Sequence, residues 1–355
     1  DVATVSRGYE DPPSYRIRHQ GDPALMLGVI MEKHWNGLEL DKSLKAEEAR
    51  IHADLPLGVN FAKVSDQAKN ISLAVNEFML KFFVALAVFF VARATETLHG
   101  RSVRTPGALL ALGALGLVLH AHETQPLLAV FAMLALVVNG LAELPHRPLA
   151  GSLKAGVGSA LAFLAGGFSG LLVTAPLLPL VLLFSRECRT PRASGALLLG
   201  LCLAITLAAA WPIALQLTHP ELLTLWLRAE WLRLTGPAIQ VREIADLLEL
   251  AGWFLWPLWP LALWALWRGR SKLSTLPVML PLLSLMLVVL WLAASGDPSQ
   301  ARMSLLIPAS ALLAASGVST LRRGAASAFD WFALMSLAAF GVLVWLAWTA
   351  QAVGW

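Results

Sequence analysis

Apolar residues run along this chain in long unbroken blocks separated by short polar connections, rather than alternating every second position or recurring once per helical turn. About 20 consecutive apolar residues carry a helix across a bilayer, and a backbone in lipid must satisfy its own hydrogen bonds, so such blocks read as transmembrane helices. The pattern predicts spans over 73–92, 106–120, 126–144, 155–184, 196–217, 252–267, 276–294, 303–318 and 329–349. The 155–184 run exceeds one crossing and contains Gly166, Gly167 and Gly170, so it is read as two short spans broken there. The expected fold class is all-α, a polytopic transmembrane bundle of about nine or ten helices.

Two stretches do not fit this pattern. Residues 1–70 are mostly polar, and 218–251 is amphipathic, with Leu222, Leu223, Trp226, Leu227 and Leu234 interleaved helically with Glu221, Arg228, Glu230 and Arg233. The second reads as helices lying on the membrane surface. The sequence thus divides into an external loop with juxtamembrane helices over 1–70, transmembrane helices over 71–217, interfacial helices over 218–251 and C-terminal transmembrane helices over 252–355.

Charge sets the orientation. Arg93, Arg101 and Arg104, then Arg147 and Lys154, Arg186, Arg189 and Arg192, Arg268, Arg270 and Lys272, and Arg322 and Arg323 fall on alternate connections once the 155–184 run is split. By the positive-inside rule these loops are cytoplasmic. Residues 1–70, 122–125, 218–251 and 295–302 then face outward. The composition agrees, with 57% hydrophobic and 14% charged residues and a formal net charge of +4. Because the basic residues sit in topological loops rather than on one face, a nucleic-acid partner is not expected. Two cysteines, Cys188 and Cys202, cannot form a disulfide framework or a metal cluster. The chain opens on Asp1 with no charged and apolar leader, which leads to the expectation of at least one further segment upstream.

Candidate chemistry collects on the external side. Glu10, Asp11, Glu123, Glu221 and Glu230 are acids that a desolvated pocket would make useful as a general base, and equally fit solvated loops. HAHET at 120–124 places His122 and Glu123 together, but an i, i+2 histidine pair points to different sides of a helix, so it reads as a polar cap or cavity lining rather than a metal site. Arg302 stands where an apolar helix begins, in QARMSLLIPAS, where a guanidinium holds a phosphate bidentately or snorkels to the interface. Arg228, Arg233 and Arg242 offer the same role from the amphipathic segment. Glu77 and Lys81, four apart within the first span, read as an internal ion pair. No cofactor is called for, and a divalent cation is left open.

YEDPPSY at 9–15 contains Tyr9 and Tyr15, the two tyrosines of the chain. It resembles the Y/F-E-K-P-P-L-Y-Y-W stretch in the first external loop of bacterial GT-C glycosyltransferases of family 39, the aminoarabinose and protein-mannosyl transferase type. Further stretches follow in that family's order. SALAFLAGGFSGLLVTAPLLPLVLLF is similar to its GLAFLxKG segment, AAAWPIALQLTHPELLTLWLRAEWLRLTG to its LPWxxxxxxxHPxFLxxFFxxEHxxRF segment, and ARMSLLIPASALLAA to RYLLPxxPALALLAA.

The resemblance implies a GT-C-like fold. It also implies a membrane glycosyltransferase that moves a sugar from a polyprenyl-phosphate donor to a lipid or other envelope acceptor, such as lipid A or a cell-envelope glycan, at the outer face of the cytoplasmic membrane, with membrane lipids as surroundings. It places the principal catalytic base upstream of residue 1, with Glu10, Asp11 and Glu123 as secondary candidates. Tyr9, Tyr15, His122, Arg228, Glu230 and Arg302 become substrate-binding candidates. Two departures stand out: Gly166 occupies the family's basic position in FLxKG, and polar NFAKVSDQAKN follows ARIHADLP where a helix is expected. A lipid-linked-sugar flippase, or a truncated, non-catalytic family member, is the alternative reading.

Overall fold

The computed structural model describes residues 16–30, 37–56, 59, 61–120, 127–234, 241–295, 300–318 and 320–353. It divides into two compact units, Asp1–Val75 and Asn76–Trp355.

In the first unit a hairpin pairs β1 (Arg18–His19) with β2 (Asp22–Pro23) across Gln20 and Gly21, both at positive φ. Helix α1 (Gly37–Asp54) follows, with charged side chains tied locally, as in Lys45 to Asp41 at 2.7 Å. Lys63 then bridges Glu48 at 3.6 Å and Asp66 at 3.0 Å. Asp66 accepts the Lys69 N–H at 3.0 Å and so caps α2 (Gln67–His99). The polar NFAKVSDQAKN stretch is therefore a loop ending in a helix cap.

Helix α2 is long and apolar enough to cross a membrane, and Lys81 donates to Glu77 at 2.5 Å, as the four-residue spacing predicts. At its far end Glu96 gathers Arg93 at 3.0 Å, Arg104 at 3.4 Å and Arg101 at 3.5 Å. The expected span over 106–120 is instead two pieces, α3 (Arg104–Leu112) and α4 (Leu115–His120), because the chain breaks at Gly113.

The core of the second unit is built on α5 (Leu127–Glu143), of which nearly every residue from Val130 on is buried. A helix apolar on all sides belongs inside a bundle. It packs against α6 (Pro148–Thr174), where Gly140 and Gly151 let the backbones touch: a Cβ on Gly140 would lie 2.5 Å from the Gly151 carbonyl oxygen. Lys154 closes the pair with bonds of 2.7 and 2.8 Å to Glu143. Gly167, at φ 61° and ψ −146°, interrupts α6. The chain doubles back there, since Gly170 lies against the Ala162 carbonyl and the Phe163 and Phe168 rings meet at 5.6 Å. The break expected at Gly166, Gly167 and Gly170 is thus present. After it come α7 (Leu177–Phe184) and α8 (Pro191–Thr218), whose Gly200 backbone touches Gly156 of α6.

The amphipathic segment forms α9 (Pro220–Leu234) and α10 (Val241–Phe254). The chain bends by 95° into α11 (Leu258–Arg268), so the expected span over 252–267 is a broken one. Then come α12 (Leu276–Ser295), the short α13 (Gln300–Met303), a 3₁₀ turn over Ser304–Leu306, and α14 (Ile307–Val318), which is almost wholly buried. The last helix, α15 (Arg323–Val353), buries no residue, and its Phe332 ring meets Trp256 at 5.3 Å.

Among the described residues five helical stretches are long and apolar enough to cross a membrane, one of them the Pro148–Phe184 run that Gly167 interrupts, or six if the bent α10–α11 pair counts as one crossing. The expected spans over 126–144 and 303–318 are apolar helices, shorter than a full crossing.

Candidate functional site

The reversal at Gly167 opens a cavity of about 710 Å³ between α6, α8, α9 and the start of α5. One wall is aromatic. Trp226 of α9 meets Trp211 of α8 at 5.1 Å and Phe168 at 5.6 Å, with Phe163 at 6.0 Å. The other wall carries charge, from Glu230, Arg233 and Arg302.

Glu230 is 1% exposed. Its Oε2 accepts the Phe168 N–H at 3.0 Å, and its Oε1 accepts Arg233 Nη1 at 2.7 Å. A buried carboxylate needs such partners, since desolvating an unpaired charge is costly. Phe168 is the first residue past the break, so its amide begins a new helical run and Glu230 caps that start. Gly167 is required twice over: its φ, ψ pair belongs to glycine, and a Cβ there would fall onto the Glu230 carboxyl group.

Arg233 is three residues from Glu230 on α9 and shares its face, with 66% of its side chain exposed. One nitrogen binds Glu230, and the side chain lines the cavity. Arg302 lines the same cavity, its guanidinium 5.3 Å from the centre of the Trp291 ring. Among the described lining residues there are thus two guanidinium groups and one carboxylate. A half-open, aromatic-walled cleft of this size with two guanidinium groups in its lining suits an anion attached to a larger apolar or ring-bearing body.

The structure therefore brings together Glu230, Arg233 and Arg302 from the sequence-based candidates and leaves Arg228 out. Arg228 is exposed and does not line the cavity. Lying two residues from Glu230, it sits about 200° around the helix and faces away. Tyr9, Glu10, Asp11, Tyr15, His122 and Glu123, and the side chain of Arg242, lie outside the described residues. Gly166 also lines the cavity, and a Cβ there would lie 2.6 Å from Val130 Cγ2. A side chain at that position would have to displace the Val130 side chain, and the guanidinium groups of the lining come from Arg233 and Arg302. Among the described residues no group of three or more His, Cys, Asp or Glu side chains is placed to hold a metal ion.

The aromatic wall was the part sequence reasoning missed as a unit. Trp211, Trp226 and Phe163 line the cavity from three helices, and Phe168, just past the α6 reversal, packs on Trp226 and Phe163.

Neither a protein-family model nor a curated protein matches the chain. Among solved structures, it superposes on the crystal structure of ArnT from Cupriavidus metallidurans bound to undecaprenyl phosphate with a TM-score of 0.60 at 17% identity, over 76% of this chain and 50% of that one. The apo structure of the same ArnT gives a TM-score of 0.59 at 15% identity, over 75% and 49%. The chain spans about half the length of these structures. The likeness is one of fold: an all-α, polytopic membrane protein of GT-C type, the fold the sequence motifs imply.

Proposed function

We propose that this chain is the core of a membrane glycosyltransferase that takes a sugar from a polyprenyl-phosphate donor and passes it to a lipid or envelope glycan. The observation that carries the reading is the aromatic-walled cavity with two guanidinium groups in its lining, on a fold whose solved counterpart was crystallised with undecaprenyl phosphate. Arg233 and Arg302 hold the donor phosphate, and the sugar ring lies against the Trp211 and Trp226 wall. An acceptor oxygen attacks the anomeric carbon, and the bond from that carbon to the phosphate oxygen breaks. The phosphate leaves with the electron pair, its growing charge stabilised by the guanidinium groups. The acceptor proton goes to an external acid, with Glu10, Asp11, Glu123 or a carboxylate upstream of residue 1 as candidates. Tyr9, Tyr15 and His122 belong to the same external side. The reaction lies at the outer face of the cytoplasmic membrane, requires no organic cofactor and leaves room for a divalent cation.

Each phosphate-holding arginine contributes on the order of 2–3 kcal/mol, so Arg302→Ala lowers transfer roughly thirty- to a hundred-and-fiftyfold. The measurement is transfer of a radiolabelled sugar from its polyprenyl-phosphate donor in proteoliposomes holding the full-length protein. Wild-type turnover by the variant overturns the reading. Movement of intact donor across the bilayer without glycosidic exchange would make the protein a lipid-linked-sugar transporter instead.

A further inference from the structure

Glu230 is an acid inside a site read as binding an anion, which by simple electrostatics is a liability. Its position explains its presence. Both carboxylate oxygens are engaged, one by the first amide past the α6 reversal and one by Arg233. The carboxylate is 1% exposed while the arginine it holds is 66% exposed, so the buried partner fixes the mobile one. An arginine side chain has roughly 2 kcal/mol of rotamer entropy to lose, and a pre-formed bond removes part of that loss before any ligand arrives.

We propose that Glu230 is a positioning residue: it locks the Arg233 guanidinium onto the cavity wall and couples its placement to the Gly167 reversal, so that a prenyl-linked phosphate meets a pre-set donor fork. The ligand part of this rests on the proposed function, whereas the placement of Arg233 does not.

The test turns on opposite signs. Glu230→Gln still accepts the Phe168 N–H but loses the ion pair, and it removes a negative charge from the cavity. If charge alone ruled, an anion would bind more tightly; under positioning it binds more weakly. With the full chain in nanodiscs and farnesyl phosphate as probe, Glu230→Gln is expected to weaken binding about tenfold, close to the loss for Arg233→Ala. The double variant should bind no worse than Arg233→Ala alone, because both remove one shared interaction. Binding by Glu230→Gln as tight as wild type, or additive losses in the double variant, overturns the proposal.

A second arm needs no ligand. Phenylglyoxal modification of Arg233, mapped by mass spectrometry, is expected to speed up severalfold in Glu230→Gln with unchanged thermal unfolding. An unchanged rate overturns the proposal. Failure of the wild-type protein to bind farnesyl phosphate counts against the proposed function, and the phenylglyoxal rates then decide the positioning role by themselves.

Discussion

The site depends on a few atoms that must be absent. At Gly167 even a methyl group is excluded, both by the backbone conformation and by the Glu230 carboxyl group it would strike. Gly167→Ala is therefore expected to destabilise the protein by about 1–3 kcal/mol and to release Arg233 together with Glu230. Detergent-phase thermal unfolding measures the first effect and phenylglyoxal reactivity the second, and an unshifted melting curve would remove the strain argument. Much of this site was visible in the sequence as residue types. Arg302 stood at a helix start, Glu230 and Arg233 on one amphipathic face, and the glycines inside an overlong apolar run. The bond joining Glu230 to Phe168 spans 62 positions, and no periodicity reports a contact of that range. Arg228 looked as good as Arg233 because composition does not rank neighbours on a helix, whereas a 200° rotation does.

Elements behaved as their hydrophobic blocks predict wherever one block is one helix, and the departures fall at Gly113, Gly167 and Pro257, although α8 and α12 run through Pro212 and Pro281 unbroken. Helices α2, α8, α12 and α15 are single and long. The 106–120 block breaks at Gly113, and the 252–267 block bends by 95° between α10 and α11. Apolarity sets how much of a segment leaves water, not whether it stays straight. The start of α2 is set by one side chain. The Lys69 N–H and then the Lys63 ammonium hold Asp66 below the usual carboxylate range. A carboxylate with a lowered folded pKa contributes stability above its unfolded value and loses it as pH falls through the folded one. The first turn of α2 is thus expected to fray on acidification below about pH 3.8, the ordinary Asp value. Asp66→Asn, which caps without titrating, should show no such step when amide shifts around Lys69 are followed by NMR.

At the scale of the whole molecule, two kinds of helix share one fold. Helices α5 and α14 are enclosed on nearly all sides, while α15 buries nothing. Leu343, Val344, Trp345 and Leu346 are 59%, 69%, 62% and 50% exposed. Successive residues turn by about 100°, so these four sample every face of the helix, and none is packed. Nitroxides placed at each of the four positions in a bilayer are expected to show similar accessibility to oxygen; a periodic dip would reveal a partner on one face. Fold class was therefore legible from the apolar blocks, and the GT-C character from the order of short motifs, which the ArnT superposition supports at the level of fold. Which helices lie inside was not, because in lipid both kinds are equally apolar.

The contact between Gly156 and Gly200 gives these two helices a mechanical role. From it, α6 and α8 rise side by side, and seven to eleven residues further on they supply Phe163 and Gly167, Leu207 and Trp211 to the cavity. At 1.5 Å per residue the seam lies roughly 10–16 Å from the cavity it serves. The two helices meet on bare backbone as at a pivot, and both feed the aromatic wall, so their spacing there sets how far Phe163 and Trp211 stand apart. A methyl group added at the pivot would spread the far ends, so the calibre of the binding space is gauged at a point no substrate ever touches.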